Sequence, residues 1–485
     1  MTDIEPLHPI RRSIPSNHVD GRLKYFEPRI DWIKEYLSQA RVIQEELRSL
    51  GFDKRVKILE EVGKAWIEKL ESSVLEPLKK ELVRNTGYSE AMIEEDLRFV
   101  NEVFKKENIE SLINSGLKGG ARSLDSFVEV APGEYISNMP AGPVFIIASG
   151  NSVIPPLIPT VVSLVTNNLT ILRPSLTNYV VIREIFKSLE DLSDEALVLG
   201  NALLVTYLSH DSKVLEYLLK EAPLGVINYW GGEPGRTVIY RAVAENPYKP
   251  KLIVNGPLTG VAVIDGSSLS NSLSVVSEAL AREVLMYDQQ LCSSPTMALF
   301  VGDYEKAVQL AREVSKYLDF LGGSHRIEVS EGWLYKLNTL RKTLEFQGAK
   351  VFKSSNPENP YTIVVSKGKS SFTELRVVPL DFHSRKRFLE LVVINDLREC
   401  IKLIKELPRI TGYAGVDKVQ TIALWVSEEN TDSYIRELMS TGIYRIVPLG
   451  ESFLRTPREP YDGEYIPRYF TYTTYLRIRK STYNS

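Results

Sequence analysis

The chain has 485 residues, of which 43% are hydrophobic and 25% are charged, a balance that is ordinary for a globular enzyme. Its formal net charge of -3 gives no case for nucleic acid or an anionic membrane as a partner. Two cysteines exclude a disulfide framework and favour a reducing cytoplasm, and five histidines without an HExxH pattern argue against a built-in zinc site.

Helices are predicted for the first part of the chain. Residues 1–20 are polar and contain no apolar signal core, so we expect no secretory signal there. Apolar residues at three- and four-residue spacing then predict helices over 31–50, 54–83 and 90–107. Two short alternating runs within 127–136 flank a Pro-Gly pair, which predicts a hairpin.

Strands and helices alternate from Gly142 onward. Predicted strands cover 144–147, 169–172, 225–230, 261–264, 296–301 and 421–426. This alternation predicts an α/β fold with a mostly parallel sheet that is covered on both faces. The most apolar stretch, 153–165, contains three prolines and is shorter than the roughly 20 residues that span a bilayer. The tail, 469–478, is rich in strand formers without an obvious partner nearby, so we expect it to join another domain or subunit.

Cys292 lies in a loop between a helix predicted at 272–287 and the strand at 296–301, where a side chain can reach a cleft. A thiolate there, stabilised by backbone donors or cations, could attack a carbonyl carbon. A lone cysteine is more often a small core side chain, and the local context leaves both interpretations open. Cys400, within a helical run at 397–406, is predicted to be such a packing residue.

Three further segments follow predicted strands directly, at the edge where parallel sheets bind their ligands. The side-chain amide of Asn151 could donate a hydrogen bond to a developing oxyanion, although Gly-Asn is also ordinary turn chemistry. Arg173-Pro174-Ser175 follows the next strand. Gly231 and Gly232 form a turn before a helix predicted near Pro234, where a phosphate could approach the backbone. Neither the Arg173 segment nor the glycine turn matches GxGxxG or a P-loop, so each alone is weak evidence for a nucleotide site.

Taken in order, these segments resemble the aldehyde dehydrogenase superfamily, and more closely its acyl-CoA reductase (LuxC-type) branch. The superfamily has an asparagine after a strand, a strand that ends in Lys-Pro-Ser, a glycine turn and a Gln-x-x-Cys nucleophile loop. The counterparts here are Asn151, Arg173 to Ser175, Gly231-Gly232 and Gln289 to Cys292. The branch adds Gly-Asn, Cys-Ser-Ser-Pro, a late Asp-Gly and an early Thr-Gly-Tyr-Ser, matched here by Gly150-Asn151, Cys292 to Pro295, Asp462-Gly463 and Thr86 to Ser89.

The resemblance implies roles for these residues. Cys292 would be a nucleophile that carries an acyl group as a thioester, with Asn151 and the Cys292 backbone N–H as oxyanion donors. The cofactor contacts that it implies are Arg173, Ser175, Gly231, Gly232 and Glu390. For Glu390, placed on the nicotinamide ribose, a surface glutamate on an edge strand is the alternative.

Two departures from the superfamily pattern refine the expected chemistry. The slot of the glutamate that activates water in hydrolytic members holds Ile253, and without that base water is poorly activated. A thiol such as CoA needs no such help, so a thioester reductase is favoured over an acid-forming enzyme. Arg173 replaces the usual lysine and Leu176 replaces the carboxylate that binds a ribose diol, which favours NADP(H) over NAD(H).

The sequence therefore predicts NADPH-dependent reduction of an acyl-CoA, a fatty acyl-CoA by family likeness, to the aldehyde through a thioester on Cys292. A hydrolytic aldehyde dehydrogenase and an acyl-transfer protein that uses Cys292 without redox chemistry are the alternatives, ahead of a non-catalytic scaffold. The acyl donor, whether CoA, a carrier protein or an acyl-donating partner enzyme, stays open.

The expected architecture is α/β and aldehyde-dehydrogenase-like. A Rossmann-type cofactor domain would comprise 1–125 and 143–260, and an α/β catalytic domain 261–445. A small β element for oligomerisation would combine 126–142 with 446–485. The resemblance implies a homo-oligomer. The composition described above predicts a cytoplasmic protein without nucleic acid, metal or a membrane span.

Overall fold

The computed structural model describes residues 2–4, 18–20, 23–269 and 271–478. The predictions for most of the polar N-terminal segment, and for the end of the expected β element, lie outside the described residues. The chain forms two compact units. The first comprises Met1–Glu81, Glu95–Gly256 and Thr456–Ser485, and the second comprises Leu82–Glu94 and Pro257–Arg455.

Helices dominate the first part of the chain, as its periodicity predicts. Three short strands precede them, β1 (Thr2–Ile4), β2 (His18–Asp20) and β3 (Leu23–Tyr25). The helices are α1 (Ile30–Ser38), α2 (Ala40–Leu50), α3 (Phe52–Glu71), α4 (Glu76–Thr86), α5 (Glu90–Phe104) and α6 (Lys106–Gly116). The helix predicted over 54–83 is interrupted after α3, where the Ser72 hydroxyl donates to the Lys69 carbonyl and its backbone is extended. A side-chain bond of this kind competes with the helical ladder.

A parallel five-stranded sheet forms the centre of the first unit. Its elements are β6 (Val144–Ile147), α7 (Ile154–Val165), β7 (Thr170–Arg173), α8 (Tyr179–Lys187), α9 (Asp194–Asn201), β8 (Leu203–Val205), α10 (Lys213–Lys220), β9 (Val226–Trp230), α11 (Gly235–Glu245) and β10 (Lys251–Asn255). The strand order is β10-β9-β6-β7-β8. Every residue of β6 is buried, which explains its unbroken apolar run. The order reverses between β6 and β9, and such a switch point is where open parallel sheets bind ligands.

A seven-stranded sheet forms the centre of the second unit. Its elements are β11 (Leu258–Asp265), α12 (Leu273–Leu285), β12 (Pro295–Val301), α13 (Tyr304–Leu321), α14 (Glu331–Phe346), β13 (Lys350–Lys353), β14 (Thr362–Lys367), β15 (Phe388–Ile394), α15 (Leu397–Glu406), β16 (Lys418–Trp425), α16 (Thr431–Leu438) and β17 (Arg445–Pro448). The order is β13-β14-β15-β12-β11-β16-β17, and only the β13–β14 pair is antiparallel. Val261 and Val263 pack on the side of α14 and α15, and Ala262 and Ile264 on the side of α12 and α13. Both faces are thus covered, as predicted.

A three-stranded antiparallel sheet completes the first unit. It contains β4 (Val128–Ala131), β5 (Glu134–Pro140) and β18 (Thr471–Arg477), in the order β18-β5-β4. The hairpin predicted around Pro-Gly is confirmed, and the tail strand finds its partner in β5. That this sheet joins subunits stays a prediction. None of the described helices is long and apolar enough to cross a membrane.

Candidate active site

The loop that carries Asn151 leaves the end of β6 at the switch point of the five-stranded sheet. Asn151 is half-buried, and its side-chain oxygen accepts a hydrogen bond from Ser149 Oγ at 2.9 Å. That bond engages the oxygen end of the amide and turns the NH₂ end away from Ser149. The NH₂ group is the donor end of this side chain, and donation to an oxyanion stays the predicted role of Asn151.

A buried carboxylate on α5 fixes the residues that follow Asn151. Asp96 accepts hydrogen bonds from Ser152 Oγ at 2.6 Å and from the Val153 backbone N–H at 3.0 Å. Asn178 Nδ2 donates to the Ser152 carbonyl at 2.6 Å, so the loop is held from two sides. Sequence reasoning missed Asp96, because it lies more than fifty positions from the loop and its own helix gives no signal for the contact.

Arg173 and Ser175 follow β7 at the same sheet edge. Arg173 is buried, with its Nε donating to the Leu208 carbonyl at 2.9 Å and its guanidinium 5.1 Å from the ring centre of Tyr207. Ser175 Oγ is buried without a hydrogen-bond partner among the described residues. A methyl group at Gly150 would lie 2.6 Å from that hydroxyl, so only glycine leaves this space open. An unsatisfied buried hydroxyl in such a cradle fits a polar ligand such as a nucleotide.

The Gly231-Gly232 turn has a different electrostatic character from the one expected. Tyr229 Oη donates to the Gly232 carbonyl at 3.0 Å, and a side chain at Gly231 would collide with that hydroxyl. The helix α11 begins after it, but Glu233 accepts from the Thr237 backbone N–H at 3.1 Å. Hydrogen bonds, first from Arg236 and then from Thr237, lower the pKa of Glu233. A carboxylate thus already occupies part of the helix start that a phosphate would use.

Ile253, which the resemblance places in the slot of the hydrolytic glutamate, lies in the middle of β10. Its apolar side chain is buried, and its correspondence to the glutamate stays a prediction. Beyond it, a chain of side-chain hydrogen bonds runs from Trp230 through Asn228 and Asn255 to Asp462, with lengths of 2.6, 3.0 and 3.0 Å. The late Asp-Gly motif therefore packs on the carboxyl ends of β9 and β10.

The loop that carries Cys292 begins where α12 ends, and the helix predicted over 272–287 stops at Leu285. The reason is a left-handed run: Tyr287, Asp288 and Gln289 have φ values of 51°, 48° and 63°. Each such residue costs about 1–2 kcal/mol unless its surroundings impose the conformation. Cys292 itself is half-buried at the amino-terminal edge of β12.

Two glutamines tie this loop to the segment that leads into β15. Gln289 accepts from the Phe388 backbone N–H at 2.6 Å and donates to the Pro295 carbonyl at 2.8 Å. Gln290 donates to the Arg385 carbonyl at 2.8 Å. Both glutamine side chains therefore have a structural role: Gln289 connects the starts of β12 and β15, and Gln290 binds the segment before β15.

Glu390 lies in β15, which pairs with β14 and β12 and is an interior strand, so the alternative of an exposed edge-strand glutamate is wrong. Its carboxylate accepts from Ser366 Oγ, Ser370 Oγ and the Ser371 N–H at 2.6–2.7 Å. Burial raises the pKa of Glu390. Both carboxylate oxygens of Glu390 therefore accept hydrogen bonds from residues of the second unit. Contact between Glu390 and a cofactor stays a prediction.

Cys400 is confirmed as a packing residue. It lies on α15 and is fully buried in the apolar core, and burial raises the pKa of its thiol to about 12. The two cysteines are therefore chemically distinct. A thiol with so high a pKa is protonated at neutral pH and a poor nucleophile, whereas Cys292 lies in a half-buried polar loop.

The predicted site residues fall into two groups. Asn151, Arg173, Ser175, Gly231 and Gly232 share the carboxyl edge of the five-stranded sheet in the first unit. Cys292 and Glu390 belong to the second unit.

The chain is similar in sequence to known reductases and in fold to solved dehydrogenases. A family model described as acyl-CoA reductase (LuxC) matches residues 48–468. The long-chain acyl-protein thioester reductase of Vibrio harveyi is 23% identical over 428 residues, which cover 87% of this chain and 82% of the relative. The protein of the same name from Photobacterium phosphoreum is 24% identical over 423 residues, covering 86% and 78%.

Solved structures share the fold at low sequence identity. Aldehyde dehydrogenase 21 from Physcomitrella patens superposes with a TM-score of 0.71 at 12% identity, covering 96% of this chain and 94% of the other. The glyceraldehyde-3-phosphate dehydrogenase GapN from Methanocaldococcus jannaschii, solved with NADP, gives 0.70 at 14% identity, covering 95% and 97%. The aldehyde-dehydrogenase-like fold is thus shown.

Proposed function

Because the chain belongs to the acyl-CoA reductase (LuxC) family, we propose that it reduces a long-chain acyl thioester to the aldehyde through a thioester on Cys292. The observation that supports this most directly is the presentation of Cys292 in a half-buried, strained loop. The apolar side chain of Ile253 supports the same reaction, since it leaves water without the superfamily's activating base.

The reaction has two stages. The Cys292 thiolate attacks the acyl carbonyl carbon, and the oxygen that becomes negative accepts hydrogen bonds from the Asn151 side chain and the Cys292 backbone N–H. The donor thiol leaves and takes up a proton, so that the acyl group stays on the cysteine sulfur. A bound nicotinamide supplies the hydride that this acyl carbon needs. The bond between the former acyl carbon and Cys292 Sγ then breaks, which releases the aldehyde and restores the thiolate.

The net reaction consumes one thioester, one reduced nicotinamide and one proton, and it gives one aldehyde, one thiol and the oxidised nicotinamide. The thiol in this balance is either CoA or a protein. The relatives' names specify protein-bound thioesters, so an acyl-donating partner enzyme is a candidate donor beside acyl-CoA.

NADPH is the proposed cofactor. Arg173 brings a buried cation to the strand end, and Leu176 leaves that segment without the carboxylate that would repel a 2′-phosphate. The unsatisfied hydroxyl of Ser175 is suited to a cofactor hydroxyl or phosphate oxygen. The Gly231-Gly232 turn would approach the cofactor through its backbone. A homo-oligomer joined through the three-stranded sheet, in the cytoplasm, completes the proposal.

The decisive test compares Cys292→Ala with the matched control Cys400→Ala. The full-length proteins are given NADPH and either acyl-CoAs of increasing chain length or an acylated protein, and aldehyde is identified by mass spectrometry. We expect Cys292→Ala to lose both the labelled acyl-enzyme and NADPH oxidation. Cys400→Ala should keep both, because its thiol only packs in the core.

Other outcomes would contradict the proposal in defined ways. Acid formed from aldehyde without any added thiol would establish a hydrolytic dehydrogenase. Acyl transfer in a protein that does not bind NADPH by calorimetry would establish a pure acyl carrier. Aldehyde formation by Cys292→Ala would remove the cysteine from the mechanism.

A further inference from the structure

A buried ion pair ties the loop of Cys292 to the rest of its unit, and the proposed mechanism does not use it. Arg387 Nε donates to Asp288 Oδ1 at 2.7 Å, and the two side chains are 1% and 3% exposed. Arg387 also donates to Asn359 Oδ1 at 2.7 Å and to the His325 carbonyl. Loss of one partner from such a pair leaves an uncompensated buried charge. The pair therefore constrains the backbone four positions before the nucleophile.

We propose that Asp288 and Arg387 are positioning residues that aim the Cys292 thiol at the acyl carbonyl. The inference rests on the proposed function of Cys292. Asp288 is the middle residue of the left-handed run, and this conformation persists only where the surroundings impose it. Arg387 imposes it through the carboxylate of Asp288. Without the pair the backbone relaxes toward the ordinary right-handed region, and the chain direction at Cys292 changes.

The Thr-Gly-Tyr-Ser segment of the early helical region packs on the same loop. The ring of Tyr88 lies edge-on against that of Tyr287, with 6.0 Å between ring centres. The Tyr287 backbone N–H donates to Met92 Sδ at 3.2 Å. This contact gives a physical role to Thr86 to Ser89, a motif that the family resemblance singled out without a function. It also explains why this segment belongs to the second unit.

A second cation reaches Asp288 from the side of this segment. Lys386 Nζ lies 3.7 Å from Asp288 Oδ2 and donates to the Gly87 carbonyl at 3.2 Å. It also lies 5.8 Å from the ring centre of Tyr88. Asp288 therefore faces two consecutive cations: Arg387 donates a hydrogen bond to Oδ1, and Lys386 lies near Oδ2 without donating one. Its negative charge, and not only its shape, is needed to keep the left-handed run in place.

The test uses Asp288→Asn, which preserves shape and removes charge, and Glu283→Gln as the matched control. Glu283 is likewise a buried carboxylate of the second unit. It accepts hydrogen bonds from the Gly450 and Ser452 backbone N–H groups, which lie outside the Cys292 loop and the segments that bind Asp288. Each protein is assayed for the rate of Cys292 acylation, kcat, KM for the thioester and NADPH affinity. Labelling of Cys400 by a thiol reagent reports unfolding, because that thiol is fully buried.

We expect Asp288→Asn to lower the acylation rate and kcat by about 10- to 100-fold, since small misplacements of a reacting group have effects of this size. NADPH affinity and KM should stay within about twofold, and Cys400 should stay protected, because only the aim of Cys292 changes. Arg387→Met should show the same loss, and Arg387→Lys should recover part of it. Glu283→Gln should leave the acylation rate of the folded protein unchanged.

Acylation by Asp288→Asn within twofold of the starting protein would overturn the inference. So would a loss of kcat that follows Cys400 labelling and appears equally in Glu283→Gln, since the pair would then serve stability alone. Failure of the proposed function gives a separate signal, namely no acyl-enzyme on Cys292 in the unsubstituted chain.

Discussion

The two loops that supply the proposed chemistry are held by different physical means. The Asn151 loop is a turn into the start of α7, and Asp96 fixes it by accepting two hydrogen bonds. The Cys292 loop contains three consecutive left-handed residues and depends on a buried ion pair. The Asn151 side chain is thus positioned by an ordinary turn at the start of a helix. The backbone before the nucleophile is bent against its own preference, so its geometry depends on buried charge.

The largest expected effect concerns the Asn151 loop. Asn151→Ala should lower kcat by about 10²- to 10³-fold, because it removes one hydrogen bond that exists only with the developing oxyanion. NADPH affinity and thermal stability should change little, since Asn151 is half-buried in a loop. Steady-state kinetics with aldehyde detection would measure this. Asn108→Ala, in a half-buried helical position, is the matched control, and an equal loss there would contradict the assignment.

A smaller effect is expected for Asp96, which anchors the Asn151 loop. Asp96→Asn replaces an acceptor of two hydrogen bonds by a group with one acceptor and one donor end, and should lower the free energy of unfolding by about 1–3 kcal/mol. We expect kcat to fall by about tenfold, less than for loss of Asn151 itself. Urea unfolding and kinetics would be compared with Asp191→Asn, an exposed control. A kcat loss larger than that of Asn151→Ala would break the ranking of the two residues.

The smallest effect sharpens the role of buried charge in the second unit. Burial raises the pKa of Glu390 above that of an unfolded glutamate, so the folded state binds the proton more tightly. Its contribution to stability is therefore full below the ordinary glutamate pKa and is lost as pH rises through the raised one. Glu390→Gln should gain stability relative to the unsubstituted chain as pH increases. Thermal unfolding measured across that pH range would show this gain, with the exposed Glu429→Gln as control. Stability-against-pH curves that run parallel for Glu390→Gln and the unsubstituted chain would contradict it.

Much of the fold was predictable because its signals are local. The buried strand at Val144–Ile147 is an apolar run with a turn after it, and the hairpin around Pro-Gly is set by two residues. The helix predicted over 272–287 ends two residues earlier, at Leu285. The left-handed conformation of Tyr287 and Asp288 is imposed by distant partners, and their residue types do not announce it.

The sequence by itself determined the identity and order of the proposed reactive groups: Asn151 after one strand, Arg173 and Ser175 after the next, and Cys292 before another, with the apolar Ile253 in the slot that the resemblance gives to a base. It determined these because each is carried by a short segment whose strand, turn or helix depends on neighbours in the chain. Only the tertiary structure decided what holds the groups in place. Asp96 and Arg387 act on loops 56 and 99 positions away, and no local periodicity encodes such a contact.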